Sequence, residues 1–218
     1  MAVVAPSILS CDFSSLPNEI KKMEEVGATY IHLDVMDGVF VPAKTFGPEL
    51  VEEVHSLHSM VNDVHLMVAD PLRQIPLFAK AGANSITFHF EACSSSQEIL
   101  DCISLIHSYG LKAAISVKPN TPVDVLYPYL DKIEMVLVMS VEPGKGGQKF
   151  IESTLEQLDM LRSYNEIAAN KVKIEVDGGI NDITAPIAVS HGAEILVAGS
   201  YLYGHDDYAE RVKGLLKL

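Results

Sequence analysis

The stretch YIHLDVMDG (30–38) places an imidazole and a carboxylate, His32 and Asp34, two residues apart in a run whose apolar, β-branched character reads as a buried strand. Residues i and i+2 of a strand share a face, so the two groups stand side by side where each alone is costly to bury. Two similar runs carry further ionisable groups: His65 lies in DVHLMV (63–68) and Asp177 in IEVDGG (174–179). Two imidazoles with two carboxylates suit a first-row divalent ion, Zn²⁺, Fe²⁺, Mn²⁺ or Co²⁺, whose charge would compensate the burial. Taken singly, each histidine also reads as a hydrogen-bonded core group. Convergence of the four therefore depends on the fold bringing three separate strands to one point.

Other polar residues read as structural. His89 and Glu91 in TFHFEA (87–92) serve a supporting shell or fill space near the site, while His55, His58, His107, His191 and His205 fall on helical or loop patterns and read as solvated. Met36, Met67 and Met139 follow strand ends and read as flexible core filler. Glycine clusters form a second constellation, in EPGKGGQKF (142–150), DGG (177–179) and AGS (198–200). Backbone N–H groups of such turns close around phosphate oxygens without side-chain obstruction, although glycine also serves turns for conformational reasons alone.

The elements that must position these groups alternate. AVVAPSIL, YIHLDV, DVHLMV, SITFHF, KAAISV, MVLVMSV, KIEV and EILVAG read as eight strands separated by amphipathic helical patterns. GATYI, GANSI and GAEIL each set a glycine at a helix end before an apolar run, and Pro17, Pro71 and Pro122 sit where first helical turns should start. Strands apolar on both faces and joined by crossover helices give a covered parallel sheet, so the expected fold is α/β, a single (β/α)₈ TIM barrel over residues 1–218, with a doubly wound open sheet as the runner-up. In a barrel the chemistry sits at the C-terminal strand ends, and phosphate is commonly held after strands 7 and 8. The irregular stretch GVFVPAKTFG (38–47) suits an active-site loop.

Composition bounds the partners. A chain of 218 residues, 48% hydrophobic and 21% charged, can bury a large core, and a net charge of −13 repels nucleic acid and anionic membranes. Cys11, Cys93 and Cys102 show neither metal-pair nor disulfide spacing, which fits a reducing cytoplasm. No apolar run reaches the roughly 20 residues that span a bilayer, and the start lacks a signal peptide's basic region.

PSIL (6–9), HLDVMDG (32–38), FVP (40–42), TFG (45–47), HLMV (65–68), VEPGKGGQKF (141–150), EVDGGI (175–180) and VAGS (197–200) together resemble, in order and over nearly the whole chain, the ribulose-phosphate 3-epimerase family. The resemblance implies a (β/α)₈ barrel that interconverts D-ribulose 5-phosphate and D-xylulose 5-phosphate through a metal-stabilised enediolate. It implies one divalent ion per subunit, Zn²⁺ before Fe²⁺, Mn²⁺ or Co²⁺, bound by His32, Asp34, His65 and Asp177. Asp34 and Asp177 become the acid/base pair, and Ser7 and His65 meet the substrate. Gly144, Lys145, Gly146, Gly147, Gly178, Gly179, Gly199 and Ser200 become phosphate contacts. Inverting C3 needs a proton removed from one face and another returned to the opposite face, so two carboxylates must flank the carbon. The family more usually has an aromatic where Lys145 stands, and His and Asn where Val39 and Ala43-Lys44 stand. D-allulose 6-phosphate is thus the alternative substrate, and a related-barrel phosphosugar decarboxylase or aldolase, or an inactive phosphosugar binder, are further readings. The expected partners are a small phosphosugar and further copies of the chain in a homo-oligomer.

Overall fold

A computed structural model describes residues 2–218. Eight parallel strands run β1 (Val3–Pro6), β2 (Tyr30–Met36), β3 (Val61–Met67), β4 (Ser85–His89), β5 (Lys112–Val117), β6 (Met135–Met139), β7 (Lys173–Asp177) and β8 (Ile195–Ala198). Each pairs with its sequence neighbour from β2 to β8, and β8 pairs with β1. A single parallel bridge, Ser7 to His32, closes β1 onto β2. This is the single-domain (β/α)₈ barrel, and all eight strands lie where the alternation places them. β1 is shorter than its apolar run, because Ile8–Ser10 turns into a 3₁₀ helix capped by the Ser7 hydroxyl.

Among the described residues seven α-helices cover the barrel: α1 (Leu16–Glu25), α2 (Pro48–Leu57), α3 (Pro71–Lys80), α4 (Ser96–Ser108), α5 (Leu155–Ile167), α6 (Thr184–Ser190) and α7 (Tyr208–Leu216). Pro17 and Pro71 lie in the first turns of α1 and α3, as expected. Pro122 does not start an α-helix; it caps a 3₁₀ turn at Val123–Leu126, and a second turn at Leu130–Lys132 completes the connection to β6. Pro119, Pro122 and Pro128 explain the difference, since each removes a helical donor and biases the preceding residue away from αR. Gly27, Gly82 and Gly192 adopt φ of 101°, 100° and 107°, the left-handed helix stops their sequence joints require.

Alternation sorts the strand side chains between two cores. Ile31, Leu33, Val64, Leu66, Ile86, Phe88, Val136 and Val176 face the helices in one continuous apolar layer. Ala5, Tyr30, Ala114, Met135, Ile195 and Val197 fill the lower interior of the barrel. Phe78 of α3 is 1% exposed in the outer layer, so Phe78→Ala is expected to cost about 3–5 kcal/mol in urea denaturation. The strands are not apolar on both faces throughout, because His32, Asp63, His65, Thr87, Ser116 and Glu175 are fully buried along the interior. That polar layer supports the upper mouth.

Candidate active site

At the C-terminal ends of β2, β3 and β7, His32, Asp34, His65 and Asp177 each offer a donor atom, and these atoms lie within 4.8 Å of one another. The barrel register makes the meeting possible: Asp34 stands level with His65 on the adjacent strand, and Asp177 closes β7 across the mouth. Asp34 Oδ1 lies 3.2 Å from His65 Nδ1 and 3.4 Å from His32 Nε2. His32 is completely buried, and its Nε2 has no hydrogen-bond partner. Its other nitrogen, Nδ1, is held 2.7 Å from Asp63 Oδ2. A buried imidazole with one edge occupied and the other bare toward a carboxylate has the chemistry of a metal ligand, so these residues fit a divalent ion.

Asp63 and Glu175 escaped the sequence reading. Glu175 Oε1 lies 3.9 Å from His32 Nδ1, and neither carboxylate oxygen of Glu175 finds a geometrically sound hydrogen bond. Burial first, then the neighbouring Asp63 charge, push Glu175 well above the usual carboxylate range. The signal for both was the one that revealed His32 and Asp34: Asp63 precedes His65 by two residues, and Glu175 precedes Asp177 by two.

The two mouth carboxylates sit in unlike surroundings. Burial opposes ionisation of Asp34, but the His32 charge leads the influences that outweigh it and hold its carboxyl well below the usual range. Burial, followed by the Asp34 charge, raises Asp177 to about 7. One acid is thus kept ionised and the other able to carry a proton near neutrality, the division that acid/base chemistry on two faces needs. His32 is pulled both ways; burial lowers it, but Asp34 and Asp63 prevail and hold it well above its ordinary value. Metal binding at this point therefore displaces a proton.

Ser7 lines the cavity beside Asp34. Its hydroxyl donates to Asp34 Oδ2 at 2.6 Å and fixes that carboxylate's orientation. Thr45 Oγ1 donates to the Asp34 carbonyl at 2.7 Å and accepts from Met36 N at 2.9 Å, tying the 38–47 loop to the end of β2. Asp37 accepts from Val39 N, Phe40 N and Ala69 N, joining that loop to the turn after β3.

Met36, Met67 and Met139 line the cavity together with Asp34 and Asp177. The core-filler reading needs correction here, since period-2 alternation carries each thioether to the mouth directly above the polar layer. They are nearly dry there, at 4%, 1% and 2% exposure, and give the carboxylates an apolar lid. His58 is likewise not solvated as expected: it is half-buried, and its Nδ1 accepts from Met60 N at 2.9 Å.

Gly144, Lys145, Gly146, Gly147, Gly178, Gly179, Gly199 and Ser200 all border the same cavity. The glycines are spatially necessary at two points. A Cβ on Gly178, at φ 124°, would stand 2.6 Å from Val141, and one on Gly179, at φ 65°, would stand 2.5 Å from the Phe150 backbone nitrogen. Ser140 Oγ lies 2.7 Å from the Gly178 carbonyl and braces this turn. Gly179→Ala is expected to lose most inorganic-phosphate binding, measured by calorimetry, with a destabilisation of roughly 1–3 kcal/mol from backbone strain.

Glu91 is linked to the site through His89, whose Nε2 lies 2.9 Å from His65 Nε2. Burial opposes its charge, but His89, Thr121 and the Lys118 N–H together lower Glu91 to about 2. The folded-state value lies below the ordinary one, so the stabilisation is present above about pH 4.5 and is lost as pH falls toward 2. In metal-free protein, the stability deficit of Glu91→Gln in urea is expected to be roughly 2–3 kcal/mol smaller near pH 2 than near pH 6.

The fold neighbours are (β/α)₈ proteins. A 3-hexulose-6-phosphate synthase from Salmonella typhimurium aligns over 100% of this chain and 97% of its own with a TM-score of 0.69 at 16% identity. A tryptophan synthase α-subunit from Pyrococcus furiosus aligns over all of both chains with a TM-score of 0.69 at 17% identity. At such identities the likeness shows the fold alone. Sequence similarity reaches further. The profile of the Ribulose-phosphate 3 epimerase family matches residues 3–203. A Bacillus subtilis relative named ribulose-phosphate 3-epimerase is 49% identical over 95% of this chain and 94% of its own. A Synechocystis relative of the same name is 42% identical over 98% and 92%, and a chloroplastic Arabidopsis thaliana relative named ribulose-5-phosphate-3-epimerase is 41% identical over 98% and 75%.

Proposed function

This chain belongs to the ribulose-phosphate 3-epimerase family, and from that premise we propose that it inverts C3 of D-ribulose 5-phosphate to give D-xylulose 5-phosphate, and the reverse, with Asp34 and Asp177 as the opposed acid/base pair. It is an epimerase acting on a phosphorylated sugar. The observation that carries the residue assignment is the convergence of one donor atom each from His32, Asp34, His65 and Asp177 inside a 4.8 Å cluster that borders a glycine-lined cavity.

His32, Asp34, His65 and Asp177 would hold one divalent ion, Zn²⁺ in the first place, which supplies a Lewis acid for the negative charge that gathers on the sugar's oxygen when the proton beside the carbonyl leaves. The remaining work falls to the chain. The phosphate enters the ring of Gly144, Gly146, Gly147, Gly178, Gly179, Gly199 and Ser200, where neutral backbone donors hold an anion despite a chain charge of −13. Lys145 is exposed at its rim and adds a positive charge. With the phosphate fixed, C3 lies between the two carboxylates. Asp34, ionised and steadied by Ser7, takes the C3 proton from one face. Asp177, carrying a proton, delivers it to the other. In the reverse direction the roles exchange, and the pair titrates as a coupled unit. Met36, Met67 and Met139 exclude water from the deprotonated sugar, which keeps its charge from being quenched before inversion.

Among the described residues no helix is long and apolar enough to cross a membrane, and all three cysteines are free thiols. The cytoplasm and a homo-oligomeric state complete the proposal.

Substrate length is tested by assaying ribulose 5-phosphate against allulose 6-phosphate on protein of measured metal content. The pentulose is expected to turn over with at least about tenfold higher kcat/KM, a difference of 1.4 kcal/mol in transition-state binding. Preference for the hexulose would transfer the assignment to the longer sugar, and release of CO₂ or an aldehyde would overturn it.

A further inference from the structure

Behind His65 runs a chain of polar groups that no step of the epimerisation uses. His65 Nε2 lies 2.9 Å from His89 Nε2, and His89 Nδ1 lies 3.3 Å from Glu91 Oε2. Glu91 Oε1 accepts from Lys118 N at 2.7 Å and from the Thr121 hydroxyl. His65 and His89 are fully buried, with ring centroids 5.0 Å apart, and the Phe40 ring covers His89 at 4.8 Å. Lys118 Nζ in turn lies 4.2 Å from the centre of the Phe40 ring.

We propose that His89 and Glu91 are positioning residues whose one-way chain of N–H donors determines which nitrogen of His65 is bare toward the metal centre. The proposal rests on the reading of His65 as a ligand. The direction follows from counting protons. Glu91, already accepting from two donors, presents an acceptor to His89, so His89 carries its proton on Nδ1. A neutral imidazole has one N–H, which leaves His89 Nε2 bare and able only to accept. The group facing it, His65 Nε2, must therefore be the donor. His65 Nδ1 is then bare, and it is the atom that stands 3.2 Å from Asp34 Oδ1. Two acceptors facing each other at that distance need a cation between them.

The arrangement makes the two imidazole ligands unequal. His32 presents Nε2 and is backed directly by the Asp63 carboxylate at 2.7 Å. His65 presents Nδ1 and is backed by a neutral imidazole, with its carboxylate one residue further out. Hydrogen bonding to an anion raises the donor strength of a ligating imidazole. His32 is the stronger donor of the two, and His65 depends on the correct tautomer rather than on added charge.

Glu91→Gln tests the direction. Its amide oxygen can keep the bonds from Lys118 N and Thr121, which turns its NH₂ toward His89. That places a donor against His89 Nδ1, drives the His89 proton to Nε2, and sets it against His65 Nε2–H. His89→Gln is the conservative partner, because its amide oxygen can accept from His65 and its NH₂ can donate to Glu91, preserving the polarity. Zn²⁺ affinity is measured by chelator competition on the full chain, alongside NMR detection of a hydrogen-bonded His65 Nε2–H in the zinc-loaded protein. Glu91→Gln is expected to weaken Zn²⁺ binding by about 10–100-fold and to abolish that N–H signal. His89→Gln is expected to retain both, and circular dichroism verifies folding of each variant. Wild-type affinity in Glu91→Gln, or equal losses in both variants, would overturn the proposal. His65→Ala serves as the control for the underlying reading: unchanged Zn²⁺ affinity there would remove His65 from the ligand set, whereas a loss there with none in Glu91→Gln would count against the relay alone.

Discussion

Asp177→Asn is expected to abolish interconversion of the two epimers while leaving one of them able to exchange its C3 proton. With Asp34 intact, the epimer whose C3–H faces that carboxylate can still lose its proton and recover a solvent deuteron on the same face. The opposite epimer has no base on its side. In D₂O, mass spectrometry should therefore find deuterium entering one pentulose phosphate, with epimerisation reduced by about 10²–10⁴-fold, the usual contribution of a positioned acid or base. The asparagine carbonyl oxygen can still approach a cation, so metal content is expected to fall less than activity. Deuterium entering both epimers, or surviving inversion, would show that Asp177 is not the second acid. A stability measurement tests the same assignment. Asp177 is raised to about 7 from its ordinary 3.8 by burial and by Asp34. A raised folded-state value gives stability that is present below the unfolded value and lost as pH rises through the folded one. In metal-free protein, the asparagine variant should gain on the parent as pH increases from about 4 to about 8.

The second large effect is loss of the cation. His65→Ala, or removal of metal by a chelator, is expected to end C3 exchange in both epimers, because without a Lewis acid neither carboxylate can generate the charged sugar. Added Zn²⁺ at 100 times its Kd should stabilise the parent by about 2.7 kcal/mol, seen as a rise in Tm, and should leave His65→Ala nearly unmoved. Retained exchange in metal-free protein would contradict the role given to the ion. A metal-dependent rise in Tm for His65→Ala equal to that of the parent would remove this imidazole from the site.

The legible parts of the sequence were those with a local period. His32 and Asp34 share a strand face by spacing alone, and each left-handed glycine at positions 27, 82 and 192 marks a helix end wherever the strands go. All eight strands could be read in this way. Convergence across strands could not, because period-2 alternation says which residues share a face without saying which face is interior. Asp63 and Glu175 were passed over for that reason: each stands two residues before a site residue, but only the barrel sets it beside the His32 imidazole. The methionines at 36, 67 and 139 failed similarly, since their place at the mouth depends on the height of each strand in the barrel. Ser7 was legible as a cavity residue, but its bond to Asp34 was not, because that partner is 27 residues away. The absence of an α-helix after β5 is written in Pro119, Pro122 and Pro128, since three prolines within ten residues remove too many helical donors for the start signal at Pro122 to prevail.

A crystal of the zinc-loaded protein with an unreactive pentulose-phosphate analogue, phased to show the anomalous signal of zinc, tests the central claim most directly. One peak is expected, about 2.0–2.1 Å from His32 Nε2 and His65 Nδ1, with Asp34 and Asp177 on opposite sides of the analogue's C3. Zinc placed elsewhere, or both carboxylates on the same side of that carbon, would contradict the mechanism.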